Sequence, residues 1–210
     1  IVVDDCSEDN TAYIIKKILF NSKIKYIFKQ NDSKLGINKS FESCLSTASC
    51  DIIVLSDQDD FWFKNRLLTI RNHFLQKLST ELILTNAHIE RNGIVTKDSI
   101  SKFYPYSKSI FLNFIKNRFT GCQIAIKRSL LERLYPFPND YVCYYDHWIS
   151  LFSLLRRTTT YIKVEQGYYC RHLRTVTDFS SSRSLNKIII SRIFLFFIVL
   201  KKYIFNKIFK

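Results

Sequence analysis

Short apolar runs alternate with longer segments of helical spacing along the first part of the chain. The apolar runs predict strands at 1–3, 24–29, 51–56 and 82–86. The segments between them predict helices at 12–20, 39–48 and 61–78, the first capped by polar residues at 7–11. This alternation predicts an α/β fold, in which a mostly parallel sheet is covered by helices on both faces.

The second part of the chain is less regular. Residues 93–117 predict a partly helical insertion, because Pro105 and many polar and aromatic residues interrupt the apolar spacing. Further strands are predicted at 121–127, 161–164 and 167–169, and helices at 129–135 and 146–155, with a loop at 136–145. Three serines at 180–182 predict a linker between a domain at 1–178 and a tail at 179–210.

The composition adds two expectations. Six cysteines without a CxxC pair indicate reduced, mostly buried thiols rather than a disulfide scaffold or a zinc site. The sequence contains no methionine and opens directly on the apolar Ile1–Val3. We therefore expect the natural start to lie upstream, together with at least one strand of the parent fold.

The charge is strongly positive and unevenly placed. The formal net charge is +14, and residues 183–210 carry seven lysines and arginines and no acid. A charge of this size implies an anionic partner. Because half of it lies beside the most apolar run of the chain, the pattern favours a membrane surface over nucleic acid.

The tail predicts a basic amphipathic helix. Its apolar stretch, 188–200, is interrupted by Arg192 and is shorter than the ~20 residues that a spanning helix needs. Such a helix is expected to lie on an anionic membrane surface. The alternative is a helix that packs on the domain or on a second subunit.

Acidic residues follow two of the predicted strands. Asp4 and Asp5 follow the first strand, where a carboxylate can contact a ribose or a base, although they can also cap the next helix. Asp57, Asp59 and Asp60 follow the strand at 51–56. In an extended chain Asp57 and Asp59 point the same way and can hold Mg²⁺ or Mn²⁺. The alternative is an acidic turn in which Asp60 caps the next helix.

A third group lies at the start of a later helix. Asp146 can act as a general base on a hydroxyl, or can simply cap the helix, and the neighbouring His147 and Trp148 can pack in the core. His172, near the last strand, is either a structural histidine or a contact to phosphate.

Four ordered motifs together resemble the family 2 glycosyltransferases, and more closely their rhamnosyltransferase-like bacterial branch. They are Val3–Thr11, Asn31 with Leu35–Asn38, the SDQDDFW sequence at 56–62, and Gly121-Cys122 followed by YDHW at 145–148. The resemblance covers about residues 1–175. It implies a GT-A fold that lacks its first strand.

The resemblance also implies roles for individual residues. Asp4, Asp5, Asn31 and Asp57 would contact the nucleotide, Asp59 with Asp57 would bind the metal, and Asp146 would be the catalytic base. Asp60, Gly121, His147, Trp148 and His172 would complete the site. Tyr145 stands where the family has an acid or a histidine.

These expectations describe an inverting transfer of sugar from a nucleotide-diphosphate donor to a saccharide or lipid-linked acceptor, in the synthesis of cell-surface polysaccharide. We expect a cytoplasmic protein that is peripheral on the inner face of the membrane. Two alternatives are a basic protein that binds nucleic acid and a truncated glycosyltransferase that no longer catalyses. Against the first, the acidic clusters would repel phosphate unless they held a metal.

Overall fold

The computed structural model describes residues 1–139, 142–171 and 185–208. Its strands are Val2–Asp4 (β1), Phe28–Gln30 (β2), Ile52–Val54 (β3), Phe61–Trp62 (β4), Leu82–Arg91 (β5), Ile94–Ser99 (β6), Ile124–Lys127 (β7) and Thr159–Arg171 (β8). Its helices are Thr11–Asn21 (α1), Ile37–Thr47 (α2), Arg66–Gln76 (α3), Ile100–Phe103 (α4), Ile110–Ile115 (α5), Arg128–Leu131 (α6), Tyr145–Leu155 (α7) and Leu185–Ile208 (α8).

The strands form two sheets of mixed direction. β1 and β2 pair in parallel, and a second sheet has the order β3-β7-β5-β8-β4, with β6 also paired to β5. Within the second sheet β5 and β8 are parallel, whereas the pairs β3–β7, β5–β7, β4–β8 and β5–β6 are antiparallel. The α/β class is confirmed, and the sheet has more antiparallel pairs than the alternation of strands and helices predicts.

The larger sheet is covered on both faces, as predicted. Side chains of β5 alternate, so that Leu82 and Leu84 join one apolar cluster while Ile83 joins another. The first cluster contains the apolar side of α7, including Trp148, and the second contains Ile70 and Phe74 of α3. The carboxyl end of β3 is therefore held on a scaffold that is packed from both sides.

One predicted helix begins later than expected. Helical spacing from Phe61 onward predicts a helix at 61–78, but Phe61 and Trp62 pair with Tyr168 and Gly167 of β8, and α3 begins only at Arg66. The pairing requires a glycine, because a Cβ at residue 167 would lie 2.2 Å from the Phe61 carbonyl oxygen. Tertiary pairing thus overrides the local helical pattern.

Three other segments differ in detail. The insertion at 93–117 is partly helical, as predicted, but it opens with a β5–β6 hairpin whose turn places Asn92 and Gly93 at φ 51° and 84°. The strand predicted from Gly121 starts at Ile124, after a 3₁₀ turn. The two late strands predicted at 161–169 are one continuous strand, β8.

The basic tail forms a long helix that packs on the rest of the protein. Leu195 is fully buried in the main apolar cluster, and Ile198 and Val199 pack against that cluster. The Lys202 ammonium donates a hydrogen bond to the Tyr135 carbonyl oxygen. Among the residues that the structure describes, no helix is both long enough and apolar enough to cross a bilayer. The linker predicted at 180–182 lies outside the described residues, so the domain division stays a prediction.

We expect Leu195→Ala to lower the free energy of unfolding by about 2–4 kcal/mol, because it empties a fully buried site where α8 meets the main cluster. The matched control is Phe197→Ala two positions away, where the side chain is 62% exposed. Urea denaturation of the three proteins measures the difference. Equal stability of all three would show that α8 does not pack as described.

Candidate active site

Acidic side chains converge where β3 ends. The strand ends at Val54 and the apolar run at Leu55, and the chain turns at residues 58–59. One carboxylate oxygen each of Asp57 and Asp60 and the Sγ atom of Cys122 all lie within 4.8 Å of one another. An extended chain would pair Asp57 with Asp59. Because the chain turns here, Asp57 and Asp60 instead lie near the buried Cys122.

The electrostatics of this cluster favour a cation. Burial, together with the charges of Asp60 and Asp59, raises the pKa of Asp57 to about 6. Burial also raises the pKa of Asp60, and its Oδ2 atom is buried without a hydrogen-bond partner among the described residues. A hard divalent cation would satisfy both the orphaned oxygen and the excess negative charge, so the donor set fits Mg²⁺ or Mn²⁺.

Asp59 takes part in the cluster through its charge. It raises the pKa of both Asp57 and Asp60, which places it in the same region. Its assignment as a metal ligand remains a prediction.

A residue that was not predicted as part of the site, Arg66, is fully buried beside this cluster. Its guanidinium donates hydrogen bonds to the Cys122 carbonyl oxygen at 2.6 Å and the Gln123 side chain at 3.0 Å, and it stacks over the Trp62 ring. It also supplies positive charge near Asp60. Arg66 therefore fixes the segment that carries Cys122 and partly offsets the acids. No local pattern marks it, since its partners lie 56 and 57 positions away.

Asp5 organises the loop that contains Asn31 and Gly36. Its carboxylate accepts hydrogen bonds from Asn31 Nδ2 at 2.7 Å and from the Leu35 and Gly36 amides at 2.9 Å each. Partial burial opposes ionisation, but the hydrogen bonds outweigh it and lower the pKa of Asp5. The structure thus joins two predicted nucleotide-binding residues. Their contact with a nucleotide remains a prediction.

Asp4 has a different setting. It is buried, and its carboxylate accepts hydrogen bonds from the backbone amide and the hydroxyl of Ser7. The helix-capping alternative applies in part to this region, because Asp9 accepts a hydrogen bond from the Thr11 amide where α1 begins. In this structure Asp4 stabilises the turn after β1.

A buried asparagine connects the loop to the start of α7. The Asn38 side chain donates to the carbonyl oxygens of Pro138 and Cys143 at 2.7 and 2.8 Å, and it accepts from the Tyr145 amide at 2.7 Å. It is 1% exposed, so every one of these bonds lies out of water. Asn38 positions the residue next to Asp146. In the sequence, Asn38 is only the last residue of the motif at Leu35–Asn38 and carries no sign of these contacts.

Asp146 lies in the first turn of α7 and faces the acidic cluster. Its carboxylate accepts from the His147 amide at 2.6 Å and from the Asn117 side chain. Burial first, and then the charge of Asp57, raise the pKa of Asp146 to about 7. A carboxylate with this pKa is tuned for proton transfer near neutral pH. The structure therefore brings the predicted base and the predicted metal-binding acids into one site.

Tyr145 and Gly121 lie between these groups. The Tyr145 ring stacks on Phe41, and its hydroxyl lies 3.5 Å from Asp57 Oδ1. A Cβ at residue 121 would lie 2.0 Å from that hydroxyl oxygen, so only glycine fits at this position. Gly121 allows the tyrosine to reach the acidic cluster.

The remaining predicted residues have structural contacts. His147 is buried, and its Nε2 atom donates to the Asn113 carbonyl oxygen at 2.7 Å. Burial and the charge of Arg192 lower the pKa of His147 to about 3, so the ring is neutral. Trp148 is buried and donates to the Leu134 carbonyl oxygen. Both match the core-packing alternative. His172 lies outside the described residues.

Comparison with known proteins identifies the family. A sequence profile described as "Glycosyl transferase family 2" matches residues 1–135. The chain belongs to this family. This confirms the family resemblance, while the rhamnosyltransferase-like branch remains a prediction. No curated protein sequence matches the chain significantly.

Solved glycosyltransferase structures share the fold. S. aureus TarS 1–349, in complex with UDP-GlcNAc, aligns with a TM-score of 0.63 and 18% identity over 87% of this chain and 52% of TarS. The mannosyltransferase PcManGT from Pyrobaculum calidifontis, in complex with GDP-Man and Mn²⁺, aligns with a TM-score of 0.57 and 18% identity over 82% of this chain and 48% of its own. This family 2 chain thus spans about half the length of these proteins.

The raised pKa of Asp146 predicts a pH-dependent effect on stability. Its pKa of about 7 in the folded state exceeds the ordinary value of 3.8, so the folded protein loses stability relative to the unfolded chain as pH rises from 4 to 7. Asp146→Asn removes this loss. We expect the variant to be more stable than wild type by roughly 1–3 kcal/mol at pH 8, and equally stable near pH 4.

Thermal denaturation in a metal chelator measures this difference across the pH range. Glu132→Gln, at an exposed acid, is the control and should leave the profile unchanged. A difference between Asp146→Asn and wild type that does not vary with pH would contradict the assigned pKa.

The close approach at residue 121 predicts a second effect. Gly121→Ala should lower the free energy of unfolding by about 1–3 kcal/mol, because the new methyl group forces the buried Tyr145 ring to move. The control is Ser49→Ala, which shortens a side chain at an exposed position and should leave the free energy of unfolding unchanged. A variant as stable as wild type, with unchanged tyrosine absorbance, would contradict the contact.

Proposed function

We propose that this chain transfers a sugar from a nucleotide-diphosphate donor to an acceptor hydroxyl. Family membership and the fold support the reaction class. The observation that supports the assignment of residues is the contact of the Tyr145 hydroxyl with Asp57 Oδ1 at 3.5 Å, because it brings the start of α7, with Asp146, to the acidic cluster. The raised pKa of Asp146 agrees with this arrangement.

The donor would lie along the carboxyl ends of β1 and β3. Asp4, Asp5 and Asn31 on one side and Asp57 on the other are the candidate contacts to the nucleotide. Asp59 and Asp57 are the candidate metal ligands, with Asp60 adding an orphaned oxygen. A bound Mg²⁺ or Mn²⁺ would supply positive charge to the leaving diphosphate. The complexes of TarS with UDP-GlcNAc and of PcManGT with GDP-Man and Mn²⁺ support a donor of this kind.

Asp146 would act as the general base. Its ionised carboxylate takes the proton of the acceptor hydroxyl as the oxygen forms a bond to the anomeric carbon. The bond from that carbon to the diphosphate oxygen breaks, and the nucleoside diphosphate leaves with the electron pair. A single displacement of this kind inverts the configuration of the sugar. Asn117 and the His147 amide hold the carboxylate in place.

The acceptor and the cellular setting are also proposals. We infer a saccharide or lipid-linked acceptor in the synthesis of cell-surface polysaccharide, with a rhamnosyl or hexosyl donor. The seven basic residues of 183–210 support a peripheral position on the inner, anionic face of the membrane.

We expect Asp146→Asn to reduce kcat by about 10²–10⁴-fold, because general-base catalysis contributes that much, while donor affinity stays the same. Nucleoside diphosphate release with a panel of donor sugars and hydroxyl acceptors measures turnover, and calorimetry measures donor binding. Glu132→Gln is again the control. Near-normal turnover of Asp146→Asn would exclude the residue from this role.

We expect Asp59→Ala to weaken donor binding at least about tenfold in Mn²⁺ and to have little effect in a chelator, since the residue would act through the metal. Asp51→Ala is the matched control, because it removes an exposed aspartate at the opposite end of β3. The rise in melting temperature on adding a nucleotide sugar with Mn²⁺ measures donor binding to wild type, Asp59→Ala and Asp51→Ala. If no nucleotide sugar stabilises the wild-type protein, the proposed function fails.

A further inference from the structure

Helices α5 and α8 contact each other. The Arg192 Nε atom donates to the Ile115 carbonyl oxygen at 3.1 Å, and the rings of Phe114 and Phe196 meet edge to face with centroids 6.2 Å apart. These contacts join the C-terminal end of α5 to the first half of α8, two elements that are far apart in sequence.

The outer side of these two helices is apolar and open. We define the α5–α8 face as Phe111 and Ile115 of α5 with Ile189, Ile193, Phe196 and Leu200 of α8. Each is between 41% and 70% exposed, and the α8 positions repeat at the spacing of one helical side. Leu195, on the opposite side of α8, is fully buried. One side of the helix therefore serves packing, and the other is left for a partner.

The charges around the face indicate which partner. Residues 99–131 and 179–210, which contain α5 and α8, include no aspartate or glutamate. Lys108 and Lys116 flank α5 and are exposed, as is Lys201 on α8. An apolar face with exposed lysines beside it matches an anionic lipid surface, where aromatics enter the acyl boundary and lysines meet head groups.

The face also lies next to the candidate active site. The Asn113 carbonyl oxygen of α5 accepts the hydrogen bond of His147, and Asn117, just after α5, contacts the Asp146 carboxylate. The α5 helix thus carries part of the apolar face and, at Asn113, also contacts the start of α7, where Asp146 lies.

We propose that the α5–α8 face docks on an anionic membrane, with α5 as a second contact beside the tail, and that docking turns the Asp146 end of the site towards the bilayer. The evidence for docking is the exposed apolar face and the lysines beside it. The orientation of the site rests on the proposed function, and it would present the acceptor at the membrane surface.

The first test is vesicle flotation of the full chain. Vesicles of phosphatidylcholine with about one-third phosphatidylglycerol should bind wild type several-fold better than pure phosphatidylcholine. The double variant Phe111→Ser with Ile115→Ser should bind at least about fivefold less, because it removes the α5 part of the face. The matched control is Phe20→Ser, an exposed phenylalanine on α1, which should bind as wild type does.

The second test measures contact directly. Brominated lipids in anionic vesicles should quench the tryptophan fluorescence of Phe111→Trp more than that of wild type, which contains Trp62 and Trp148. The quenching of Phe20→Trp should not exceed that of wild type. Nucleotide sugars should raise the melting temperature of the α5 double variant and of Phe20→Ser as much as that of wild type. A loss of docking can therefore be distinguished from a failure of the proposed function.

Two results would overturn the proposal. One is equal flotation of the α5 double variant and wild type. The other is a dimer in sedimentation that the same double variant dissociates, with no vesicle binding, which would assign the face to a second copy of the chain.

Discussion

Burial of carboxylates, to which their mutual repulsion adds, is the constraint around which the site is arranged. Asp57, Asp60 and Asp146 each have a raised pKa, and burial is the leading cause in all three. The surroundings moderate the repulsion without removing it: Arg66 adds a positive charge, and Cys122 stays a neutral thiol because burial raises its pKa well above the ordinary value. The folded protein thus holds an unfavourable cluster that protons or a cation would stabilise.

The residues that form this cluster could be predicted from the sequence because their signals are local. Acids directly after an apolar run mark the end of a strand, and Asp146 opens a strongly apolar helix. The residues that hold the cluster in place could not be predicted in the same way. The hydrogen bonds of Asn38 span 100 to 107 positions, and a polar residue in a helix gives no sign of such partners.

In the fold, too, features that depend on neighbouring residues could be predicted, and features that depend on residues far apart in the sequence could not. Apolar spacing located most strands and helices, and the alternation of side chains on β5 matches the two apolar clusters. Strand direction was harder to predict, because a period of two residues is the same in parallel and antiparallel pairs. The late start of α3 depends on Gly167, whose missing Cβ lets β4 approach β8 more than 100 positions away.

The first turn of α2 has a consequence for movement within the protein. Gly36, at its start, is bonded through its amide to Asp5, and Asn38, two residues later, is bonded to the chain on both sides of residues 140–141 and to the amide of Tyr145. A ligand that displaced Gly36 from Asp5 would therefore pull on the beginning of α7. Less than one turn of helix therefore couples the Asp5 loop to the start of α7 within the candidate site.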